Sequence, residues 1–246
     1  SVGNLAFGGR GKTPIVAALA THALTEGLSV AILIRGYGGA RAPVPRVAVG
    51  VERAGPSWTR SVEVDGVRRP AWAWAAELGD EAPWHAAEVP GVPVVVCPDR
   101  RLGAAAVPGV DLLLLDDGGQ LPVTPTVDVL CVDPRLDSPW SNTPKAQREG
   151  PGRLALADLV VSVASRGPGP PVSGVSHVLR RIHPVLVDLC GRVEVVPNAA
   201  VLLAGVGRLE SVSETLRDLG VSRVSSIDLA DHASPSPRTL GKLPDL

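Results

Sequence analysis

Six short runs of mostly apolar residues place the strongest constraint on the fold of this chain. The runs are "SVAILI" (29–34), "VPVVVC" (92–97), "VDLLLLDD" (110–117), "VDVLCVD" (127–133), "ADLVVSV" (157–163) and "AVLLAGV" (200–206). Continuous rather than alternating apolarity is typical of strands that are covered on both faces. Segments of helical length separate several runs, such as 99–106 and the amphipathic 209–220. This order predicts an α/β fold with a mostly parallel sheet and helices on both faces, whereas residues 40–75 show no clear pattern.

The segment "GGRGKTP" near the start of the chain has the composition of a phosphate-binding loop. Such a loop needs glycines whose N–H groups converge on phosphate, a lysine for the β- and γ-phosphates and a hydroxyl for Mg²⁺. The candidate residues are Gly8, Gly9, Arg10, Gly11, Lys12 and Thr13. A helical pattern follows at once, with Pro14 suited to its first turn and Gly27 to its end. The strict pattern G-x-x-x-x-G-K-[ST] is incomplete because Ala6 replaces its first glycine, and the alternative is a chance Gly-rich turn before a helix.

Composition narrows the function classes. Lysine occurs 3 times against 21 arginines, so a lysine at position 12 stands out. A net charge of −1 gives no electrostatic reason to expect a nucleic acid partner. The irregularly spaced Cys97, Cys131 and Cys190 suit a reducing cytoplasm, and no run of apolar residues is long enough to span a membrane. Methionine is absent, so we expect the chain to be a fragment or to have lost its N-terminus.

Charged side chains follow several of the predicted strands. Asp116 and Asp117 end the most apolar run, where P-loop enzymes place a carboxylate that holds magnesium. The alternative is an Asp-Asp-Gly-Gly turn that merely caps the strand. Arg35 in "IRGYGG" and Arg100 in "PDRR" also follow strands, where planar guanidinium groups are suited to phosphate.

Two further residues are candidates for acid–base chemistry. Phosphoryl transfer to an alcohol needs a carboxylate that positions the attacking hydroxyl and takes its proton, and Asp80 in "GDEAP" is a candidate. The alternative for Asp80 is an N-cap that accepts backbone N–H bonds. His232 in "ADHASPSP" follows a predicted strand, where its imidazole is able to pair with a carboxylate; the alternative is an ordinary surface histidine.

Taken in order, eight segments resemble the successive motifs of one enzyme family. They are "SVGNLAFGGRGKTP", "IRGYGG", "GDEAP", "VVCPDRR", "LLDDGGQ", "GRLALADLVV", "LLAGVGRLESVSETLRDLG" and "ADH". The family is that of the tetraacyldisaccharide 4'-kinases, the lipid A 4'-kinases of Gram-negative bacteria. The resemblance implies a P-loop fold and transfer of phosphate from ATP, with Mg²⁺, to the 4'-hydroxyl of a tetraacyl glucosamine disaccharide 1-phosphate. It also implies a peripheral position on the cytoplasmic face of the inner membrane.

The resemblance also implies roles for individual residues. Lys12 would hold the β- and γ-phosphates, and Thr13, Asp116 and Asp117 would form the magnesium site. Asp80 would be the catalytic base and His232 its partner in a dyad. The remaining matched positions near the phosphates or the acceptor are Arg35, Tyr37, Arg100 and Gln120.

The chain also departs from the family pattern. Leu121 stands where the family has a histidine after Asp-Asp-Gly-x-Gln, and the strand before the loop and the C-terminal portion are expected to be absent. We therefore expect a truncated or divergent member. Its predicted organisation is a P-loop kinase core at 1–165, a linker or β connector at 166–199 and a partial C-terminal α/β domain at 200–246.

Two other functions remain open from the sequence. A partitioning-type P-loop ATPase has a similar loop, but Phe7 occupies the signature lysine position of that class. A non-catalytic relative that binds nucleotide or lipid is the second alternative, and Leu121 is the residue that favours it.

Overall fold

Parallel strands dominate the computed structural model of the chain, as the apolar runs predict. The structure describes residues 1–5, 11–40, 44–51, 55, 57–118, 124–132, 151–164, 175–179, 192, 194–204 and 209–229. Their strands are β1 (Val2–Asn4), β2 (Val30–Ile34), β3 (Arg46–Gly50), β4 (Ser61–Val64), β5 (Val67–Pro70), β6 (Val94–Val96), β7 (Leu112–Leu115), β8 (Val129–Val132), β9 (Leu159–Ala164), β10 (Val175–Leu179), β11 (Ala199–Ala204) and β12 (Arg223–Asp228). Their α-helices are α1 (Lys12–Thr25), α2 (Ala75–Leu78), α3 (Glu81–Glu88), α4 (Arg100–Ala105) and α5 (Leu209–Asp218). Short 3₁₀ turns lie at Ser57–Thr59, Ala71–Trp74 and Pro151–Leu156.

The strands form two larger sheets that meet at one residue pair. One sheet has the order β5-β4-β3-β6-β2-β7, in which β2 runs parallel to β6 and β7. The other has the order β1-β8-β9-β10 and is parallel throughout. A parallel bridge between Val2 and Asp116 places β1 beside the end of β7. The carboxyl ends of β1 and β7 therefore lie at the same edge, where ligands bind in folds of this kind.

The structure confirms the α/β prediction and corrects part of it. Each of the six apolar runs contains a strand, and residues 99–106 and 209–220 contain α4 and α5. The expectation that no strand precedes the loop is wrong, because β1 occupies residues 2–4 and pairs with β8. A strand of three residues is too short to show a periodic pattern. Residues 40–75 contain the antiparallel pairs β3–β4 and β4–β5. β3 also pairs antiparallel with β6, which lies further along the chain.

Helix α1 begins and ends where its sequence predicts. Gly11 precedes it with a φ of 81°, a left-handed conformation that suits glycine. At the other end Gly27 N–H donates to Leu24 O and Leu28 N–H to Ala23 O, the two bonds of a Schellman motif. The buried face of α1 consists of small and branched residues, namely Val16, Ala17, Ala20 and Ala23. This face packs against β1, β2 and β7 and fixes the start of the helix at the sheet edge.

The chain divides into two compact units. The first comprises residues 1–6 and 10–180, and the second comprises 7–9 and 181–246. Among its described residues, the second unit contains the parallel pair β11–β12, against which α5 packs. The boundaries at 165 and 199 remain a prediction. Within the described ranges, we find no helix with the length and apolarity that crossing a bilayer requires.

A hydrogen-bonded pair of residues joins the starts of β2 and β7. Asp111 Oδ2 accepts from the Ser29 hydroxyl at 2.5 Å and from Ser29 N–H at 2.8 Å. Ser29 Oγ in turn accepts from Asp111 N–H at 2.9 Å. The hydroxyl and then the N–H of Ser29 hold the pKa of Asp111 below its ordinary value. The pair therefore supports the register of two strands that carry site residues at their opposite ends.

We expect Asp111→Asn to lower the melting temperature by a few degrees at neutral pH. A carboxyl whose pKa is lowered by folding stabilises the protein above its ordinary pKa, and this contribution disappears as the pH falls through the folded-state pKa. The difference in melting temperature between wild type and variant should therefore narrow below about pH 4. Thermal unfolding of wild type and variant from neutral to acid pH measures this difference in melting temperature. The exposed Glu88→Gln is the control. A difference that does not change with pH contradicts this role of Asp111.

Candidate active site

The lysine that follows the loop contacts two neighbouring strand ends. Lys12 Nζ lies 3.1 Å from Asp117 Oδ1 and donates to Asn4 Oδ1 at 3.2 Å. Asn4 is the last residue of β1 and is buried. Asp117 follows Asp116, the residue after β7 that forms the bridge with Val2. Its φ of 57° turns the chain at this point. The structure thus brings Lys12 and Asp117 together, two residues that were singled out independently in the sequence.

Asp116 is buried in the protein interior and is only 1% exposed. Its Oδ2 lies 2.8 Å from His85 Nε2, and its backbone N–H donates to Leu33 O at 3.0 Å. Its carbonyl oxygen accepts from Arg100 Nη2 at 3.3 Å. Two adjacent aspartates therefore serve different partners, one at the loop and one in the core.

The oxygen atoms at this edge fit a hard divalent cation. Asp116 Oδ1 is buried and has no hydrogen-bond partner among the described residues. A buried carboxylate oxygen without a donor is costly, and a cation or its bound water would satisfy it. Thr13, which is partly buried in the first turn of α1, supplies a hydroxyl. In the part of the chain that the structure describes, no three His, Cys, Asp or Glu side chains form a complete cage, and Mg²⁺ commonly keeps waters and phosphate oxygens as ligands.

The start of α3 belongs to the same cluster. Burial, followed by the negative charge of Asp116, raises the pKa of Glu81 above its ordinary value. Lys12, Asp80 and His85 also act on the Glu81 carboxyl through their charges. Asp80 is exposed at the N-cap position, but its side chain makes no capping hydrogen bond to α3. The capping interpretation of Asp80 is therefore wrong, and its proposed role as base stays a prediction.

Close backbone contact joins the segment before Asp80 to the loop after β2. Gly79 has a φ of 80° and a ψ of 162°, a region that is essentially restricted to glycine. A Cβ atom at Gly79 would lie 2.3 Å from Tyr37 O. A Cβ atom at Gly36 would lie 2.5 Å from Val96 Cγ1 and 3.1 Å from Leu78 O. The segments "IRGYGG" and "GDEAP" are thus one structural unit, and its glycines set the position of Asp80.

We expect Gly79→Ala to lower the free energy of unfolding by more than Gly38→Ala. The strained backbone costs about 1–3 kcal/mol and the clash with Tyr37 O adds about 1–3 kcal/mol. Gly38 also has a φ of 80°, but a Cβ atom there meets no atom within 4 Å. Urea denaturation of both variants measures the difference. Equal losses in the two variants would show that the clash with Tyr37 O does not lower the free energy of unfolding.

The predicted phosphate-binding arginines lie in contrasting environments. Arg35 is exposed at the end of β2, and the Tyr37 side chain is 68% exposed. Arg100 is only 4% exposed, and Nη1 donates to Cys97 O at 2.8 Å. Burial lowers the pKa of Arg100 from its ordinary value. Through Cys97 O and Asp116 O its guanidinium group bridges the ends of β6 and β7, while the phosphate roles of these residues stay predictions.

Several predicted residues lie outside the described part of the chain. They are Gly8, Gly9, Arg10, Gln120 and His232, together with Leu121. Sequence reasoning missed three residues of the cluster, namely Asn4, Glu81 and His85. Glu81 is adjacent to Asp80, and His85 lies four residues further along the same helical face. That spacing is a signal for Glu81 and His85, whereas β1 is too short to mark Asn4.

In this structure a strand is followed by a glycine of positive φ and a helix that begins Lys-Thr, and paired aspartates follow the adjacent strand. This combination defines the P-loop class of nucleotide-binding α/β proteins. Comparison with known proteins identifies the family within this class. The model of the family "Tetraacyldisaccharide-1-P 4'-kinase" matches residues 1–245. The chain belongs to this family, which decides against the partitioning-type ATPase class.

Individual relatives agree with the family model. A tetraacyldisaccharide 4'-kinase of Geobacter sulfurreducens is 34% identical over 99% of this chain and 68% of its own length. One from Pelobacter propionicus is 31% identical over 95% of this chain and 64% of its own length. A crystal structure of LpxK from Aquifex aeolicus in complex with ATP is 25% identical, with a TM-score of 0.65 over 94% of this chain and 70% of that one. The chain thus spans about two thirds of the length of these relatives.

Proposed function

We propose that this protein phosphorylates the 4'-hydroxyl of a tetraacyl glucosamine disaccharide 1-phosphate, with ATP as phosphate donor. The observation that carries the proposal is the contact of Lys12 Nζ with Asp117 Oδ1 at 3.1 Å. It places the only lysine of the loop motif beside one of the paired aspartates, at the sheet edge where β1 and β7 end. Membership of the kinase family supports the reaction and the acceptor.

Each residue of the cluster has a distinct task in this reaction. Lys12 exchanges its contacts with Asp117 and Asn4 for the β- and γ-phosphates, which the glycine-rich segment 8–13 binds. Asp80 orients the attacking 4'-hydroxyl and takes its proton, with His232 as its partner. Thr13, Asp116 and Asp117 would hold Mg²⁺, which neutralises charge on the β- and γ-phosphates when bound. Arg35, Tyr37 and Gln120 contact the phosphates or the acceptor.

Glu81 adds a further carboxyl group to this site. Its raised pKa reflects burial beside Asp116, so a cation placed between these carboxyl groups would relieve their repulsion. This provides a physical reason for an acidic cluster beside the phosphates of ATP. Without a cation, two carboxylates and a triphosphate would repel one another.

The proposed place of action is the cytoplasmic face of the bacterial inner membrane, with peripheral attachment. The support is chemical, because an acceptor with four acyl chains resides in a bilayer while ATP is supplied by the cytoplasm. Acyl chains of this size bury enough apolar surface to anchor the substrate firmly.

A transfer assay tests the proposed function. The protein is incubated with radiolabelled ATP, Mg²⁺ and the tetraacyl disaccharide 1-phosphate in detergent micelles, and labelled lipid is separated by chromatography. We expect label in the lipid that depends on protein, acceptor and Mg²⁺. Nucleotide binding without any transfer would contradict the proposal and support the non-catalytic alternative.

A further inference from the structure

A histidine in the interior of α3 contacts the aspartate at the end of β7. His85 is 0% exposed and Asp116 is 1% exposed, and their Nε2 and Oδ2 atoms lie 2.8 Å apart. Buried polar side chains require hydrogen-bond partners, and each of these two side chains is the partner of the other. The family motifs identified in the sequence assign no role to His85.

The partners of the imidazole ring define its tautomer. His85 Nδ1 is buried and has no hydrogen-bond partner among the described residues. A proton on Nδ1 would be a buried donor without an acceptor, so the stable arrangement has its proton on Nε2. His85 therefore donates from Nε2 to Asp116 Oδ2. This donor fixes the orientation of the Asp116 carboxylate.

The hydrogen bond also connects two elements of the site. Asp80 directly precedes α3, and Glu81 and His85 lie four residues apart on one face of that helix. The contact of His85 with Asp116 shows that this face is turned towards the end of β7. A shift of α3 away from Asp116 would move Asp80 as well.

Three atoms of Asp116 take part in hydrogen bonds, and one carboxylate oxygen remains available to a ligand. Its N–H donates to Leu33 O at 3.0 Å, its carbonyl oxygen accepts from Arg100 at 3.3 Å, and Oδ2 accepts from His85. Only Oδ1 lacks a partner within the described residues. With Oδ2 occupied, a cation or its bound water is directed to Oδ1.

We propose that His85 is a positioning residue that aims Asp116 Oδ1 at the cation of the nucleotide site and holds α3, with Asp80, against β7. This inference rests on the proposed function for the identity of the ligand. Groups that orient a metal-binding carboxylate typically contribute about 10–100-fold to metal affinity. His85 acts through Asp116 and touches neither substrate.

The test measures Mg²⁺ dependence of nucleotide binding rather than turnover. A fluorescent ATP analogue is titrated at a series of Mg²⁺ concentrations with wild type, His85→Leu and His85→Gln. Leucine removes the donor, whereas the glutamine amide nitrogen reaches about the position of Nε2. We expect the half-maximal Mg²⁺ concentration to rise about 10-fold or more in His85→Leu and to return to within about 3-fold of wild type in His85→Gln. The exposed His22→Leu on α1 is the matched control.

Two results would overturn the proposal. One is an unchanged Mg²⁺ dependence in a folded His85→Leu variant. The other is a wild-type His85 ring without a proton on Nε2, which proton–nitrogen NMR of the histidine rings detects even if the leucine variant fails to fold. Failure of the proposed function looks different, because the Mg²⁺ dependence would then shift as expected while wild type transfers no phosphate to the lipid.

Discussion

Asp80→Ala is expected to reduce phosphate transfer to the lipid acceptor by about 10²–10⁴-fold while ATP affinity changes by less than about 3-fold. The side chain lies at the start of α3 and makes no capping hydrogen bond to that helix. The base acts on the acceptor hydroxyl and not on the nucleotide. Transfer rates at saturating ATP, together with nucleotide binding measured separately, distinguish these two effects.

The chain supplies a matched control for Asp80 at another helix. Asp99 is the N-cap of α4, and its side chain accepts from Arg101 N–H at 2.8 Å and Leu102 N–H at 3.4 Å. We expect Asp99→Ala to lower the free energy of unfolding by about 1 kcal/mol and to leave transfer nearly unchanged. The opposite pattern, with Asp80→Ala unstable but active, would assign Asp80 a structural role.

Lys12→Ala is expected to lower kcat/KM for ATP by about 10²–10³-fold, since it removes the side-chain cation that faces the transferred phosphate. The contact with Asp117 is partly exposed, with 37% of the Asp117 side chain accessible, so the variant should remain folded. ATP should then raise the melting temperature of wild type but not of the variant.

Exposed Arg101 on α4 provides the control for Lys12, because Arg101→Ala also removes one positive charge. We expect the control variant to keep the thermal shift induced by ATP. If Lys12→Ala still binds ATP with wild-type affinity, the loop does not hold the nucleotide as proposed.

Sequence patterns predicted the parts of the fold that depend on local chemistry. The apolar run before Asp116 predicted β7, and Gly27 predicted the end of α1, because burial on both faces and positive φ each restrict the residues that fit. The antiparallel strands β3 to β5 were not predicted. All four residues of β5 are exposed, with Val67 46% exposed, so no continuous or alternating apolar pattern marks that edge.

The sequence predicted only those residues of the candidate site that belong to distinctive motifs. Lys12 and Asp117 belong to motifs whose composition is distinctive by itself, and the structure places them in contact. His85 belongs to no such motif, and its helical spacing from Glu81 is a weaker signal, since a histidine within a helix has many ordinary explanations. Only the hydrogen bond from α3 to the residue that follows β7 gives it a partner in Asp116. Contacts between elements distant in sequence have to be observed in a structure.

The position of the transferred phosphate tests the central claim most directly. The lipid product formed by wild type from ATP and the tetraacyl disaccharide 1-phosphate is purified and examined by phosphorus NMR and mass spectrometry. The proposed function predicts one added phosphate monoester, coupled to the proton at the 4' carbon and formed about 10²–10⁴-fold more slowly with Asp80→Ala. ATP hydrolysis without phosphorylated lipid, or a phosphate on another hydroxyl, would contradict it.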